Sequence, residues 1–324
     1  MKNVKKVLAL MITVVLGCTA LAGCGEQIGQ NDDKYVIGIC QLVEHVALDA
    51  ATEGFQKAVI EELGEDKVEF NVQNAQNDSA TCATIANQFV SDGVDLILAN
   101  ATPALQAAAA ATADIPILGT SVTEYGVALQ IKDFNGTVGG NISGTSDLAP
   151  LDQQAAMLQE WFPDAKNVGL VYCSAEANSQ YQVTVISEEL KKLGIDSEMY
   201  SFSDSNDLSA VCTNAASNSD VIYLPTDNTV SSNTGIINNI CMAANVPVIS
   251  GEEGNCAGCG VATLSISYSD LGYTTGKMAA KILKGEADIS TMPIEYAPAT
   301  KKYNAEICEA LGLTPMEGYE PIEK

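Results

Sequence analysis

The chain has 324 residues, with 16 basic side chains against 41 acidic ones and a single histidine, for a formal charge of −25. At roughly 100–200 residues per domain the length fits two domains, and 47% apolar residues can fill their cores. The acid excess excludes nucleic acid and bare anionic membrane as partners, because both need a cationic face, and one histidine leaves little for histidine-based metal or general-base chemistry. Every basic residue is a lysine; arginine is absent.

Lys2, Lys5 and Lys6 precede an apolar run over residues 7–16, followed by Leu21-Ala22-Gly23-Cys24. Residues 1–23 read as a secretory leader, too short to span a membrane. The tetrapeptide resembles a bacterial lipoprotein cleavage box, which makes Cys24 the lipidated first residue of the mature chain. Residues 24–34 are a polar tether. Acyl chains on Cys24 would hold a soluble domain at the outer face of the cell membrane.

Strands and helices then alternate. Apolar β-rich runs at 35–40, 68–73, 94–98 and 115–119 are separated by helical spacings at 47–63, 79–90 and 103–112. Asp78 or Ser79 caps the helix at 79–90. The pattern restarts with a helix at 151–161 and strands at 168–173, 196–202, 221–224 and 246–249, with helices at 180–193, 208–216 and 235–244. Such alternation predicts parallel sheets with helical crossovers, hence α/β architecture with two Rossmann-like lobes. A strand at 261–265, an amphipathic helix at 268–284 and a short strand at 292–296 follow. This late helix and strand point to a chain that crosses back between lobes. The expected division is 35–145 plus 268–291 for the N-terminal lobe and 146–267 plus 292–324 for the C-terminal lobe.

Most cysteines of the mature chain lie among apolar neighbours, where a thiol acts as a small hydrophobe. Cys256 and Cys259 form one CxxC in a glycine-rich segment, which reads as a loop holding a local disulfide or two free thiols. A zinc site would need a second such pair, so neither metal nor cofactor is expected.

In open parallel sheets, ligands bind beyond the carboxyl ends of the strands. The polar residues there are Gln41, Glu44 and His45; Asn100 and Thr102; Thr120, Ser121 and Thr123; then Ser174, Glu176, Asn178 and Ser179; Thr226, Asp227, Asn228 and Thr229; and Glu252 and Glu253. Hydroxyls, amides and a few acids suit hydrogen bonding to a small polar ligand. No nucleophile elbow or P-loop is present, and Gly136-Thr-Val-Gly139-Gly140 lacks dinucleotide-loop spacing, so catalysis is not expected.

The strings Leu42-Val-Glu-His-Val-Ala-Leu-Asp49, Val72-Gln-Asn-Ala-Gln76, Asn100-Ala-Thr-Pro-Ala-Leu-Gln-Ala-Ala108, Ser174-Ala-Glu-Ala-Asn-Ser179 and Tyr223-Leu-Pro-Thr-Asp-Asn-Thr229 resemble one branch of the ABC importer substrate-binding proteins. Better-known members of that branch bind tryptophan, phenylalanine or tyrosine. The resemblance runs from about Tyr35 to Gly285. It departs at Val46, where a proline commonly follows the histidine, and at the Cys256–Cys259 segment. It implies a type I periplasmic-binding-protein fold with a three-crossover hinge. It also implies a monomer that delivers an aromatic amino acid to ABC permease subunits. A nucleoside or sugar receptor, and a surface adhesin or sensory lipoprotein, are the alternatives, since a fold does not fix its ligand.

Without guanidinium, the ligand carboxylate cannot be clamped by a bidentate arginine. The expected substitute is a helix N-terminus. Thr102, read as the N-cap of the alanine-rich helix, and Ser121 would cradle the carboxylate, with Asp227 and secondarily Glu44 holding the ammonium group. Asn178 and Asn228 would complete the polar ring. His45 is expected to be a packed histidine, and Tyr125, Tyr172 and Tyr181 to be rim packing.

Overall fold

The computed structural model describes residues 34–323; the leader, Cys24 and the tether up to residue 33 lie outside them. The first lobe comprises β1 (Tyr35–Gln41), α1 (Val46–Leu63), β2 (Val68–Asn74), α2 (Ser79–Asp92), β3 (Leu96–Asn100), α3 (Thr102–Ala111), β4 (Ile117–Val122), α4 (Tyr125–Ala128) and β5 (Ile142–Ser146). The second comprises α5 (Leu151–Trp161), β6 (Asn167–Cys173), α6 (Ala177–Lys192), β7 (Asp196–Phe202), α7 (Ser205–Asn218), β8 (Val221–Leu224), α8 (Asn228–Ser231), α9 (Thr234–Ala244), β9 (Val248–Ser250), α10 (Glu253–Cys259) and β10 (Ala262–Ser265). The tail adds α11 (Tyr268–Leu283), β11 (Glu295–Tyr296), β12 (Thr300–Tyr303), α12 (Ala305–Ala310) and β13 (Glu320–Pro321).

Both lobes are doubly wound. The sheets run β2-β1-β3-β4-β5-β11 and β7-β6-β8-β9-β10-β12-β13, parallel except where β12 meets β10. Central strands such as β3 are buried throughout and carry apolar side chains on both faces, as a sheet covered by helices on each side requires. Phe89 and Leu105 fill one face of the first sheet, and Phe55 and Met278 the other. In the second lobe Leu158 and Ile186 oppose Leu208 and Ile237. Asp78 caps α2 by accepting the Thr81 N–H at 2.6 Å, and Gly93 ends that helix in a left-handed conformation.

The chain passes between sheets three times: after β5, after β10 and after β11. The second crossing returns α11 to pack along α1, close to backbone contact. A Cβ added to Gly272 would collide with the carbonyl oxygen of Ala51, one on Gly54 with that of Ser269, and one on Gly276 with that of Phe55. These three glycines set how near the returning helix can lie.

Three expectations are corrected. β11 pairs with β5, so the chain from residue 292 rejoins the first sheet before crossing, and the second lobe resumes only with β12. β5, with the sequence Ile-Ser-Gly-Thr-Ser, is a fifth strand of the first lobe that its polar composition concealed. Cys256 and Cys259 lie on helix α10 rather than in a loop, because Glu252 caps its start, and both are buried free thiols.

Gly272→Val is expected to lower the unfolding free energy by about 3 kcal/mol, at the upper end of overpacking costs. Gly235→Ala, at a helical position with open space around its Cβ, should change it by less than about 1 kcal/mol. Denaturant titration checks both; equal stability of the Gly272 variant and wild type would contradict the close helix contact.

Candidate functional site

The carboxyl ends of both sheets face a crevice between the lobes, with about 260 Å³ of space unfilled by protein atoms, mouth included. His45 and Leu48 line it from the start of α1, Ser121 and Thr123 from the end of β4, and Asp147 from the first crossing. Asn178, Thr226, Asp227, Asn228, Ser231 and Glu252 line it from the second lobe, and Tyr268 from the second crossing. Each follows a strand end, as the geometry of open parallel sheets dictates.

Three carboxylates are buried in this wall, with no lysine beside them. Two are engaged by backbone. Asp227 caps α8: one oxygen accepts the Val230 N–H at 2.9 Å and the other the Cys173 N–H at 2.7 Å. Burial, then the charge of Glu176, pushes its carboxyl up to about 8. Glu252 caps α10, accepting from Gly254 N–H, Asn255 N–H and the Ser231 hydroxyl, and burial pushes it up to about 7. Asp147 differs. Its Oδ2 accepts the Tyr268 hydroxyl at 2.9 Å, while Oδ1 is buried without a partner in bonding distance, although the Thr123 hydroxyl lies near enough to ease its charge. Burial raises its carboxyl as well.

Two more cavity-lining polar atoms are buried and unpartnered: Ser121 Oγ and Asn178 Oδ1. Ser121 has φ +54°, the left-handed region that a non-glycine residue enters at a cost. Buried polar groups are otherwise nearly always paired, so three orphans on one wall mark a place for an absent hydrogen-bonding partner. They come from the first lobe, a crossing segment and the second lobe, so a single guest meeting all three would join the lobes.

The expected site residues divide. Ser121, Asn178, Asp227 and Asn228 line the cavity. Glu44 does not: it is exposed, two residues before the start of α1, and is not placed to be an ammonium partner. Thr102 is buried but neither lines the cavity nor caps α3; Ala101, at φ +94°, holds the cap position. Asp227 is less available than expected, because both its oxygens hold backbone. Asp147 was missed, since it follows the polar strand β5. His45 is not merely packed: it lines the cavity, its Nε2 lies 3.3 Å from Asn228 Oδ1, and burial lowers its pKa. Asn100 supports rather than binds, with its Nδ2 donating to Leu48 O and Thr52 Oγ1 at 2.8 and 2.9 Å and so pinning α1. Tyr125 is core, its hydroxyl on Thr145 O at 3.0 Å.

The model of the family described as ABC transporter substrate binding protein matches residues 36–317. The chain belongs to that family. A tyrosine-binding protein of Clostridioides difficile is 38% identical over 310 residues, covering 92% of this chain and 89% of the relative. The ABC domain from Streptococcus pneumoniae in complex with L-Trp superimposes with TM-score 0.85 at 31% identity, covering 90% of this chain and 100% of that one. The ligand-free, open structure of a substrate-binding protein with adhesive properties from Clostridium difficile gives TM-score 0.68 at 38% identity, covering 90% and 99%. Higher agreement with the less identical, ligand-bound relative fits the lobe arrangement seen here, in which His45 and Asn228 meet across the crevice. The fold is that of the type I periplasmic binding proteins.

The buried acids of this family member fix a pH dependence. A carboxyl raised by folding contributes stability that is full below its unfolded value and is lost as pH rises through its folded value. For Asp227 and Glu252 that window runs from about 4 to about 8. His45 acts in the opposite sense, as one group against three. The ligand-free melting temperature should therefore fall by several degrees between pH 5.5 and 8.5, and Glu252→Gln should flatten the slope. Differential scanning calorimetry that found a melting temperature constant or rising over this range would contradict the assignment.

Proposed function

We propose that this chain is the extracytoplasmic receptor of an ABC importer, closing as a monomer on one aromatic amino acid of the tyrosine class and presenting it to permease subunits. Lipid on Cys24 would hold it at the membrane. The observation that carries the reading is the trio of unpartnered buried atoms on the cavity wall. Asp147 Oδ1 and Asn178 Oδ1 accept from the ligand ammonium group, and the Ser121 hydroxyl donates to its carboxylate. Asp227 and Asn228 shape the wall beside them. With no lysine or arginine among the lining residues, and burial lowering the pKa of the one histidine, a second ligand carboxylate would find little counter-charge. Aspartate, glutamate and phosphorylated solutes are thereby rejected. The aromatic preference draws on the tyrosine-binding and L-Trp-bound relatives.

A second reading, adhesion at the cell surface, is favoured by the relative described as having adhesive properties. It is compatible with solute binding, since the crevice and the outer surface are different parts of the molecule.

A melting-temperature screen of the common amino acids should show stabilisation by tyrosine, phenylalanine or tryptophan and none by the two acidic ones. Asp147→Asn should weaken binding roughly 10–100-fold, the worth of a hydrogen bond to a charged group. Unchanged affinity in that variant, or no stabilisation by any aromatic amino acid, would remove the proposal.

A further inference from the structure

Glu176 does not line the cavity, yet it is only 4% exposed and takes five hydrogen bonds. It stands at the start of α6 without capping that helix. Its Oε1 accepts the Thr229 N–H at 2.9 Å and hydroxyl at 2.8 Å. Its Oε2 accepts the Asn228 N–H at 3.0 Å, the Asn228 Nδ2 at 2.7 Å and the Asn178 Nδ2 at 3.2 Å.

Asn228 and Thr229 also reach the first lobe by hydrogen bonds. Asn228 Oδ1 lies 3.3 Å from His45 Nε2, and Thr229 Oγ1 accepts from Asn77 Nδ2 at 2.9 Å. A carboxylate can only accept. By drawing the Asn228 amide hydrogens and the Thr229 hydroxyl hydrogen toward itself, Glu176 turns Asn228 Oδ1 and the Thr229 lone pairs outward as acceptors. The facing lobe offers donors: the Asn77 amide, and His45 in its Nε2–H tautomer. We propose that Glu176 is the positioning residue of an interlobe latch, setting the donor–acceptor polarity that lets Asn228 and Thr229 hold the lobes shut.

The proposal rests on the reading that the lobes close on an amino acid, and it gives Glu176 a kinetic role. Glu176→Gln keeps the shape but puts a donor among five donors, so the polarity of Asn228 and Thr229 is no longer fixed and both outward acceptors are lost. L-Tyrosine association, limited by entry to the open crevice, should stay within about twofold of wild type, while dissociation should speed up roughly tenfold, the worth of the latch bonds. Asn77→Gly, on the exposed lip and suited to the positive φ of +62° there, should also speed dissociation and add nothing in the Glu176→Gln background.

The chain's single histidine gives a readout that needs no ligand affinity. Imidazole nitrogen NMR of the full chain, free and with saturating L-tyrosine, should show a hydrogen-bonded Nε2–H tautomer in at least one wild-type state and its loss in Glu176→Gln. Should that variant fail to fold, Asn77→Gly with stopped-flow kinetics and the wild-type histidine spectrum decide the matter. A histidine signature unchanged by Glu176→Gln, absent from wild type in both states, or a dissociation rate unmoved by Asn77→Gly would overturn the latch. Wild type that ignores tyrosine but loses the signature on Glu176→Gln would refute the ligand reading and leave the latch standing.

Discussion

Three buried carboxylates line one crevice with neither lysine nor arginine among its lining residues, and one of them keeps an unpartnered oxygen. Asp227 and Glu252 are met by backbone N–H groups at the starts of α8 and α10. Asp147 has only a tyrosine hydroxyl on one oxygen and nothing bonded to the other. A buried acceptor left unmade costs about 1–3 kcal/mol, and more when charged. In the proposed reading, the cationic group of a guest would remove that cost at Asp147 and so favour the closed state.

The architecture serves that contrast. Doubly wound sheets bring strand ends from two lobes to one crevice, and three crossings join the lobes. α11 is locked to α1 by glycines that admit backbone contact, so the crossing after β10 feeds into a rigid pair. Tyr268, the first residue of α11, hydrogen-bonds Asp147 in the crossing after β5. Asp147 is therefore attached to two of the crossing segments, and in the proposed reading this ties filling of the site to lobe position.

Much of this was legible in the sequence because apolar runs mark buried parallel strands, and the residues after them must lie at the sheet ends. Ser121, Asn178, Asp227 and Asn228 line the crevice in accord with that rule. β5 was not legible, since Ser143, Gly144 and Thr145 carry no apolar signal; the strand is buried through hydroxyl contacts such as Thr145 Oγ1 to Thr275 Oγ1 at 2.8 Å, and Asp147 was missed with it. Thr102 was misplaced by one residue because sequence favours threonine as a cap, whereas the backbone turns at Ala101. Glu44 was overvalued because a strand-end acid can point either way, and only packing decides.

The most direct test compares L-tyrosine with its two truncated forms by titration calorimetry: tyramine, which lacks the carboxylate, and 3-(4-hydroxyphenyl)propionate, which lacks the ammonium group. With Asp147 waiting for a positive charge, the propionate should give no measurable heat, while tyramine should keep part of the affinity of the parent. Binding of the propionate as tight as that of tyrosine would contradict the account.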